Sequence, residues 1–464
     1  MPIYAAMIPV LAVGLFLVAG IFIYGAEPQI PLLLGAVVAG LVGVWRGYRW
    51  KTIEHGITDS IARAIPALII LLIIGMIIGV WIASGVVPAM IYYGFDVLLP
   101  DWFLPATFLL CSLMSLATGS SWTTAGTVGV AAIGVGQGLG IPAAAVAGAI
   151  VSGSFFGDKI SPLSDTTNLT PAVVGVELYD HIKHMLYSTA PAFLITLVIY
   201  TFLGAYLTNS GEQGGEVMRY RQVLADNFSL SPLLLIPPLA VIGMIIFKVP
   251  AIPSLVAGAL LGGLMQIIVQ GQGPGAVATA LYHGFVIDTG WDRIDHLLSR
   301  GGMASMYSTV SLGIVALAFG GIMDKCGMLH ALVSGMAGLV RRTGNLVLTT
   351  VSTAFLINIF AANQYLAVII PGQMFEEAYR RLNLHNKKLS RALESGGTLT
   401  APLIPWNSSG VFMYSVLAVS PLAFAPYAVL CWLVPLIVVL YGYTGFSMER
   451  SVPPIISQVP GNNI

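Results

Sequence analysis

Residues 157–171 read GDKISPLSDTTNLTP, and the reading of that stretch decides the fold. It groups Asp158, Lys159 and Asp165 in a chain of which only 9% is charged, between the apolar runs 141–156 and 186–207. Each charge at mid-bilayer costs about 2.5–3.5 kcal/mol on insertion scales, and Pro162 frees backbone groups that then need partners. Such a segment is tolerated at membrane depth only where it lines a cavity inside the protein. An unwound turn there offers a small hard cation the oxygens it takes. They are the carboxylates of Asp158 and Asp165, the hydroxyls of Ser161, Ser164, Thr166 and Thr167, the Asn168 amide and loose carbonyls. The competing reading is a short cytoplasmic loop whose charges cap a helix and pair with each other. The flanking hydroxyls and Gly/Pro, and a matching break later in the chain, favour the cavity. Lys159 is a candidate internal counter-ion, replacing a bound cation when the site is empty.

The rest of the chain fits a bilayer. Its 464 residues are 57% hydrophobic, with a mean hydropathy of +0.88. Apolar runs of about 18 or more residues recur, each able to cross ~30 Å of hydrocarbon as a helix. The expected fold is all-α, a polytopic membrane protein of about 10–14 transmembrane segments. Alternating ~10-residue segments of the membrane β-barrel kind are absent. Zero net charge gives a nucleic-acid partner no support. Cys111, Cys326 and Cys431 lie far apart in apolar runs, as neither a disulfide framework nor a metal site would have them. No dinucleotide, Walker or zinc spacing occurs, so no cofactor is expected. The first run, 3–24, lacks a basic leader and a small-residue cleavage site and reads as a retained helix.

The chain also reads as a duplicated unit. IPLLLGAVVAG (30–40) resembles IPSLVAGALLGG (252–263), and EHGITD (54–59) resembles YHGFVID (282–288). WIASGVV (81–87) falls on MDKCGML (323–329), and SPLSDTTN (161–168) on APLIPWNSSG (401–410). The order is kept, with one insertion near 288–302. The halves are 1–209 and 230–464, joined by a polar linker, 210–229. Cytoplasmic loops carry the excess of Lys and Arg. With both termini inside and the halves inverted, Arg46, Arg49, Lys51, Arg63, Lys183, Lys248, Lys325, Arg341, Arg342, Arg450 and the group 380–391 fall in the cytoplasm. Only Arg219, Arg221, Arg293 and Arg300 stay outside, and Lys159 is unassigned. Parallel copies would expose much of the second half's basic charge. Inverted repeats with broken helices and re-entrant hairpins are a mark of secondary transporters, whose sites form where the broken helices meet.

The second break supplies Asn407, Ser408 and Ser409 but no carboxylate. A further polar pair matches across the repeat, GSSWTT (119–124) against ANQYLA (362–367), and adds Ser120, Ser121, Asn363 and Gln364. Helix packing through small polar residues explains the serines as well as ligand binding does. Glu394 lies one turn from Arg391, so an ion pair at the membrane edge is the favoured reading; otherwise it is a coupling carboxylate. His181 and His184 share a helix face and read as ordinary histidines at the interface. His55 and His283, each beside Gly, point to a turn of the unit.

These residues resemble the NhaC-type Na+/H+ antiporter family of the ion-transporter superfamily. The resemblance rests on ATGSSWTTAGTVGVA (117–131), the long block around GDKISPLSDTTN, NQYLAVIIPGQMFEEAY (363–379) and LSRALESGGTLTAPLIPWNSSG (389–410), and spans most of the chain. It implies exchange of Na+ for H+, or Na+-coupled exchange of an organic acid or amino acid, by a dimeric inner-membrane carrier. It also implies re-entrant hairpin tips at Thr166, Thr167 and Asn168 and at Asn407, Ser408 and Ser409. Asn363, Ser395 and Gln373 stand where that family often carries an acid, an acid and an arginine.

The expected function is secondary antiport, with Na+ and H+ competing for Asp158 and Asp165. The alternative is a Na+-coupled carrier of a small carboxylate or amino acid, with Arg391 or Lys159 near the substrate carboxylate. An intramembrane enzyme would place its two acids on separate helices, and a passive channel needs no buried carboxylates in a broken segment.

Overall fold

The structure, a computed structural model, describes residues 1–97, 100–208, 213–247, 249–337 and 342–448. Lys248, Arg341 and Arg450 of the charge-based topology lie outside these. The first half contains α1 (Ile3–Val18), α2 (Gln29–Trp45), α3 (Trp50–Ala83), α4 (Val86–Val97), α5 (Phe103–Thr118) and α6 (Ser121–Thr124). A π-turn, Ala125–Gly129, leads from α6 into α7 (Val130–Gly138), followed by α8 (Ala143–Ile160), α9 (Asp165–Val173) and α10 (Leu178–Thr208). The linker reads as polar chain but folds as α11 (Gln213–Asn227). Then come α12 (Ile236–Ile246), α13 (Ala251–Ile268), α14 (Pro274–His283), α15 (Asp292–Leu298), α16 (Tyr307–Lys325) and α17 (Met328–Ala337). The chain closes with α18 (Thr343–Ala361), α19 (Gln364–Arg381), α20 (Asn386–Gly397), α21 (Ser408–Leu417), α22 (Pro421–Phe424) and α23 (Val429–Thr444).

Among the described residues there is no β-strand, and 7 helices are long and apolar enough to cross a membrane, or up to 8 if a bent pair at 217–244 counts as one. Five shorter apolar helices, Ile3–Val18 and Ser408–Leu417 among them, fall below that length. Large apolar side chains such as Leu11, Leu15, Leu194, Phe202 and Leu264 stay on the outer surface, where lipid rather than water is their natural solvent. Inside, one apolar cluster gathers on α3, α4, α5, α7, α8 and α23, and a second on α1, α2, α16, α18 and α19.

The longest element is α3. This helix is one piece of 34 residues, about 50 Å at 1.5 Å per residue, so it must tilt within ~30 Å of hydrocarbon. The stretch 274–325, by contrast, is divided into α14, α15 and α16. The insert ends on Gly301 and Gly302, with φ of +88° and +83°. The Gly302 N–H donates to the Gly75 carbonyl of α3 at 2.7 Å. A Cβ on Gly301 would lie 2.3 Å from the Gly79 nitrogen, so only glycine permits this contact. His283–Gly284 is indeed a turn, with Gly284 at φ +85°. His55–Gly56 is not; both sit inside α3, and Gly56 is needed because a Cβ there would meet the Gly321 carbonyl of α16 at 2.6 Å.

Candidate functional site

Four breaks converge on the site, and they come in two matching pairs. After α5, Gly119 turns left-handed (φ 67°) and Ser120 caps α6, its Oγ accepting the Thr123 N–H. After α18, Ala362 turns left-handed (φ 52°) and Asn363 caps α19, its Oδ1 accepting the Tyr365 N–H at 2.8 Å. The two caps have φ/ψ of −145°/111° and −142°/118°. In the other pair, Ser164 caps α9 at −71°/138° and Asn407 caps α21 at −71°/145°. Ser, Thr and Asn occupy these positions because a short polar side chain satisfies the orphan N–H groups of a helix start.

The first-half break is short. Residues 161–164 separate α8 from α9, and the Ser161 hydroxyl donates to the Leu116 carbonyl at 2.8 Å. Thr167 Oγ1 donates to the carbonyls of Asp158 (2.9 Å) and Lys159 (3.0 Å), satisfying the end of α8. Asn168 Nδ2 donates to the carbonyls of Pro162 (2.8 Å) and Ser164 (2.6 Å), and Thr166 Oγ1 lies 3.2 Å from Ser164 Oγ. These side chains hold the break in shape rather than line the cavity beside it. Ser161, Ser164, Thr166, Thr167 and Asn168, expected as ligands, thus make hydrogen bonds within and beside the break.

The cavity, of about 420 Å³, is walled by both carboxylates of this stretch, Asp158 and Asp165, with Ser120, Ser121, Asn363 and Ser408. Asp158 is 4% exposed. Its Oδ2 accepts from Ser121 Oγ (2.6 Å) and N (3.3 Å), while its buried Oδ1 has no hydrogen-bond partner among the described residues. Asp165 opens α9, where a negative charge suits the helix dipole. Its Oδ1 accepts the Thr166 N–H at 2.8 Å and its Oδ2 accepts the Tyr365 hydroxyl. The two carboxylates are near enough for one charge to act on the other. Trp122 stacks on Phe412 at 4.3 Å, locking the start of α6 against α21. Among the described residues no group of three His, Cys, Asp or Glu could hold a metal ion, so a cation here would complete its shell with hydroxyls and carbonyls.

In the second break, Asn407 Nδ2 donates to the carbonyl and to Oδ1 of Asn358, both at 3.1 Å. Asn358 donates in turn to the Gly397 carbonyl and to Thr400 Oγ1. Ser409 Oγ donates to Gln364 Oε1 at 3.0 Å. Asn407 and Ser409 therefore brace the wall from which Ser408 faces the cavity.

Behind the wall lies a buried charged layer on α8, α9 and α20. Lys159 and Glu394 are both 0% exposed. Lys159 Nζ donates to Ser395 Oγ at 3.1 Å, and Thr170 Oγ1 donates to Glu394 Oε2. Lys159 and Glu394 act on each other electrostatically, and Glu394 Oε1 has no hydrogen-bond partner among the described residues. The expected Arg391–Glu394 ion pair is not formed. Arg391 is fully buried, its Nη1 donating to Ser447 Oγ at 3.1 Å with the guanidinium over the Tyr441 ring. One helical turn between them is overridden by what α9 presents to Glu394 and α23 to Arg391. Neither Arg391 nor Lys159 reaches the cavity wall, so neither is placed to meet a substrate carboxylate there. His181 and His184 are not interfacial either. Both are buried, with His181 Nδ1 2.6 Å from Ser390 Oγ, because their face of α10 packs on α20.

Sequence reasoning missed Tyr365, Asn358, Thr170 and the position of Arg63. Tyr365 stands beside the Asn363–Gln364 pair, and Asn358 is a lone amide in an apolar run, so both carried a signal. Arg63, counted among cytoplasmic loop charges, lies within α3 and lines the cavity with the two carboxylates. Thr170 carried no signal.

The pattern that defines the Na+/H+ antiporter family matches residues 2–167 and 153–446. The Na+/H+ antiporter NhaC of Alkalihalophilus pseudofirmus is 38% identical over 94% of this chain and 94% of its own. The malate-2H+/Na+-lactate antiporter of Bacillus subtilis is 39% identical over 96% of this chain and 95% of its own. The arginine/ornithine antiporter ArcD of Halobacterium salinarum is 39% identical over 97% and 93%. With matches of this extent on both halves, and the polar breaks built as described, the chain belongs to the Na+/H+ antiporter family.

Proposed function

We propose that this protein is a secondary antiporter that exchanges Na+ for H+, with Asp158 and Asp165 taking the cation and protons in turn. The observation that carries this is the placement of both carboxylates, one from each side of the same helix break, on one cavity wall, with Asp158 Oδ1 unpartnered. A protonated carboxyl loses its hold on a cation, so proton and Na+ compete for the same oxygens. Ser120, Ser121, Asn363 and Ser408 complete the oxygen shell. Lys159 and Glu394 form the coupling layer behind it, a buried pair whose balance shifts when the charge in front of it changes. Alternating access follows if the two halves are inverted copies that rock around the site.

Two features support a second reading, Na+-coupled exchange of a small organic acid or amino acid. The cavity is far larger than a lone ion fills, and Arg63 on its wall offers a carboxylate a guanidinium partner. The relatives named above include both kinds of exchanger. In the cell we place the protein in the inner membrane as a multi-pass homodimer with both termini cytoplasmic, on the strength of the basic-residue distribution and the family.

The test is Na+ flux driven by a pH gradient in proteoliposomes, with the wild type against Asp165→Asn. Undiminished flux in the variant removes the carboxylate assignment. Na+ uptake stimulated by malate, lactate or an amino acid, in place of flux driven by the pH gradient alone, selects the second reading.

A further inference from the structure

The charge-based topology leaves Arg219, Arg221, Arg293 and Arg300 on the outer side, against the usual bias, and two of the four line one cavity together with Tyr220, which stands between the other two in sequence. Arg293 and Arg300 line it together with His296, and its volume is about 540 Å³. Arg219 flanks it, its guanidinium 4.3 Å from the Trp291 ring, and Arg221 lies over Tyr92 at 5.3 Å. None of the described residues on the wall is acidic. The nearby Asp295 is turned away into the Thr289 N–H and hydroxyl at 2.8 and 2.7 Å.

Arg300 is the unusual member. Its Nε and Nη2 are shielded from water and have no hydrogen-bond partner among the described residues. Burial pulls the guanidinium down to about 10 and no anion offsets it, so it remains a cation at neutral pH. Arg300 is half-buried, and two shielded, unpaired guanidinium nitrogens are destabilising unless something outside the protein completes them. The backbone around it is held fast, with the Phe285 N–H donating to the Arg300 carbonyl at 3.2 Å and Gly302 anchored on α3. The fork is therefore preset, and a fork of parallel N–H groups matches the two oxygens of a carboxylate. Ile141 and Leu297 add an apolar wall, suited to a carbon skeleton rather than a bare inorganic ion.

The position completes the argument. Ala418, which ends α21, is on the wall of this basic cavity, whereas Ser408, which begins α21, is on the wall of the acidic one. The two cavities of opposite charge lie at opposite ends of one short helix, about 15 Å apart along it. We propose that the cavity at α7, α11 and α15 binds a small organic carboxylate, anchored by Arg300 and assisted by Arg293. This holds whichever ion the acidic cavity carries.

The experiment is calorimetric titration of the full chain in phosphatidylcholine nanodiscs with lactate and with malate, at neutral pH and constant ionic strength. Saturable binding is expected. Arg300→Gln should weaken it about tenfold or more, Arg300→Lys less, since a point charge keeps the attraction but not the fork. Arg293 is exposed, so Arg293→Gln, which should weaken binding several-fold, guards against a folding defect in the Arg300 variants; elution as a single species checks them all. The proposal is overturned if neither acid saturates the wild type, or if Arg300→Gln and Arg293→Gln bind as the wild type does. It is equally overturned if inorganic phosphate competes as well as the acids bind, or if phosphatidylglycerol nanodiscs alone abolish the signal, which would make the occupant a lipid headgroup.

Discussion

The breaks at 161–164 and 398–407 use the same backbone device for different chemistry. Each follows a helix that ends at the site, and each restarts through a capping residue in nearly identical conformation, Ser164 at −71°/138° and Asn407 at −71°/145°. The first is flanked by Asp158 and Asp165, both on the cavity wall. The second spends the Asn407 amide on Asn358 and the Ser409 hydroxyl on Gln364, and presents one hydroxyl to the cavity, from Ser408. Capping geometry constrains residue type only to short polar side chains, so two breaks can share a shape while differing in charge. The first break thus brings carboxylates to the cavity and the second brings a hydroxyl.

This division of labour is open to direct attack. The largest effect is expected from Asp158→Asn, which should bring Na+ flux driven by a pH gradient down to the protein-free background, while Asn407→Ala retains measurable flux. Equal loss in both would show that the second break also binds the ion. Next, Lys159→Met should destabilise the protein by about 3 kcal/mol, because it leaves the Glu394 carboxylate uncompensated in the interior. Adding Glu394→Gln should restore part of that, so the double variant is more stable than the sum of the singles, as denaturant unfolding in detergent would report. Tyr365→Phe removes one donor from the Asp165 carboxylate and should weaken Na+ binding about tenfold, read by titration calorimetry. An unchanged affinity would mean that Asp165 does not hold the ion directly. The smallest effects should be the most alike: Ser164→Ala and Asn407→Ala each remove one cap, at about 1 kcal/mol in unfolding free energy. A large difference between those two would separate the breaks in architecture as well as in charge.

Much of this was legible in the sequence because it rests on local rules. Apolar runs of bilayer length, Pro and Gly within them, and Ser or Asn just before helix starts announce broken membrane helices wherever they occur. They located all four breaks and both carboxylates. The misreadings share a cause. Arg391 and Glu394 stand one turn apart, and local geometry alone pairs them; the structure instead gives Glu394 to Thr170, 224 residues away, and Arg391 to Ser447. His181 and His184 looked interfacial because nothing in their own helix says that α20 covers them.

What the sequence alone determined is the solvent of the fold, the positions of its breaks, and the residue types able to serve a cation there. Each follows from composition and from neighbours within a few residues. Which oxygens face the cavity, and which are consumed in closing helix ends, only the tertiary structure decided. Asp158 meets Ser121, and Asp165 meets Tyr365 across 200 residues of chain. The physical reason is that a polar atom in a low-dielectric interior must find a partner, and which partner it finds depends on the packing of helices distant in sequence.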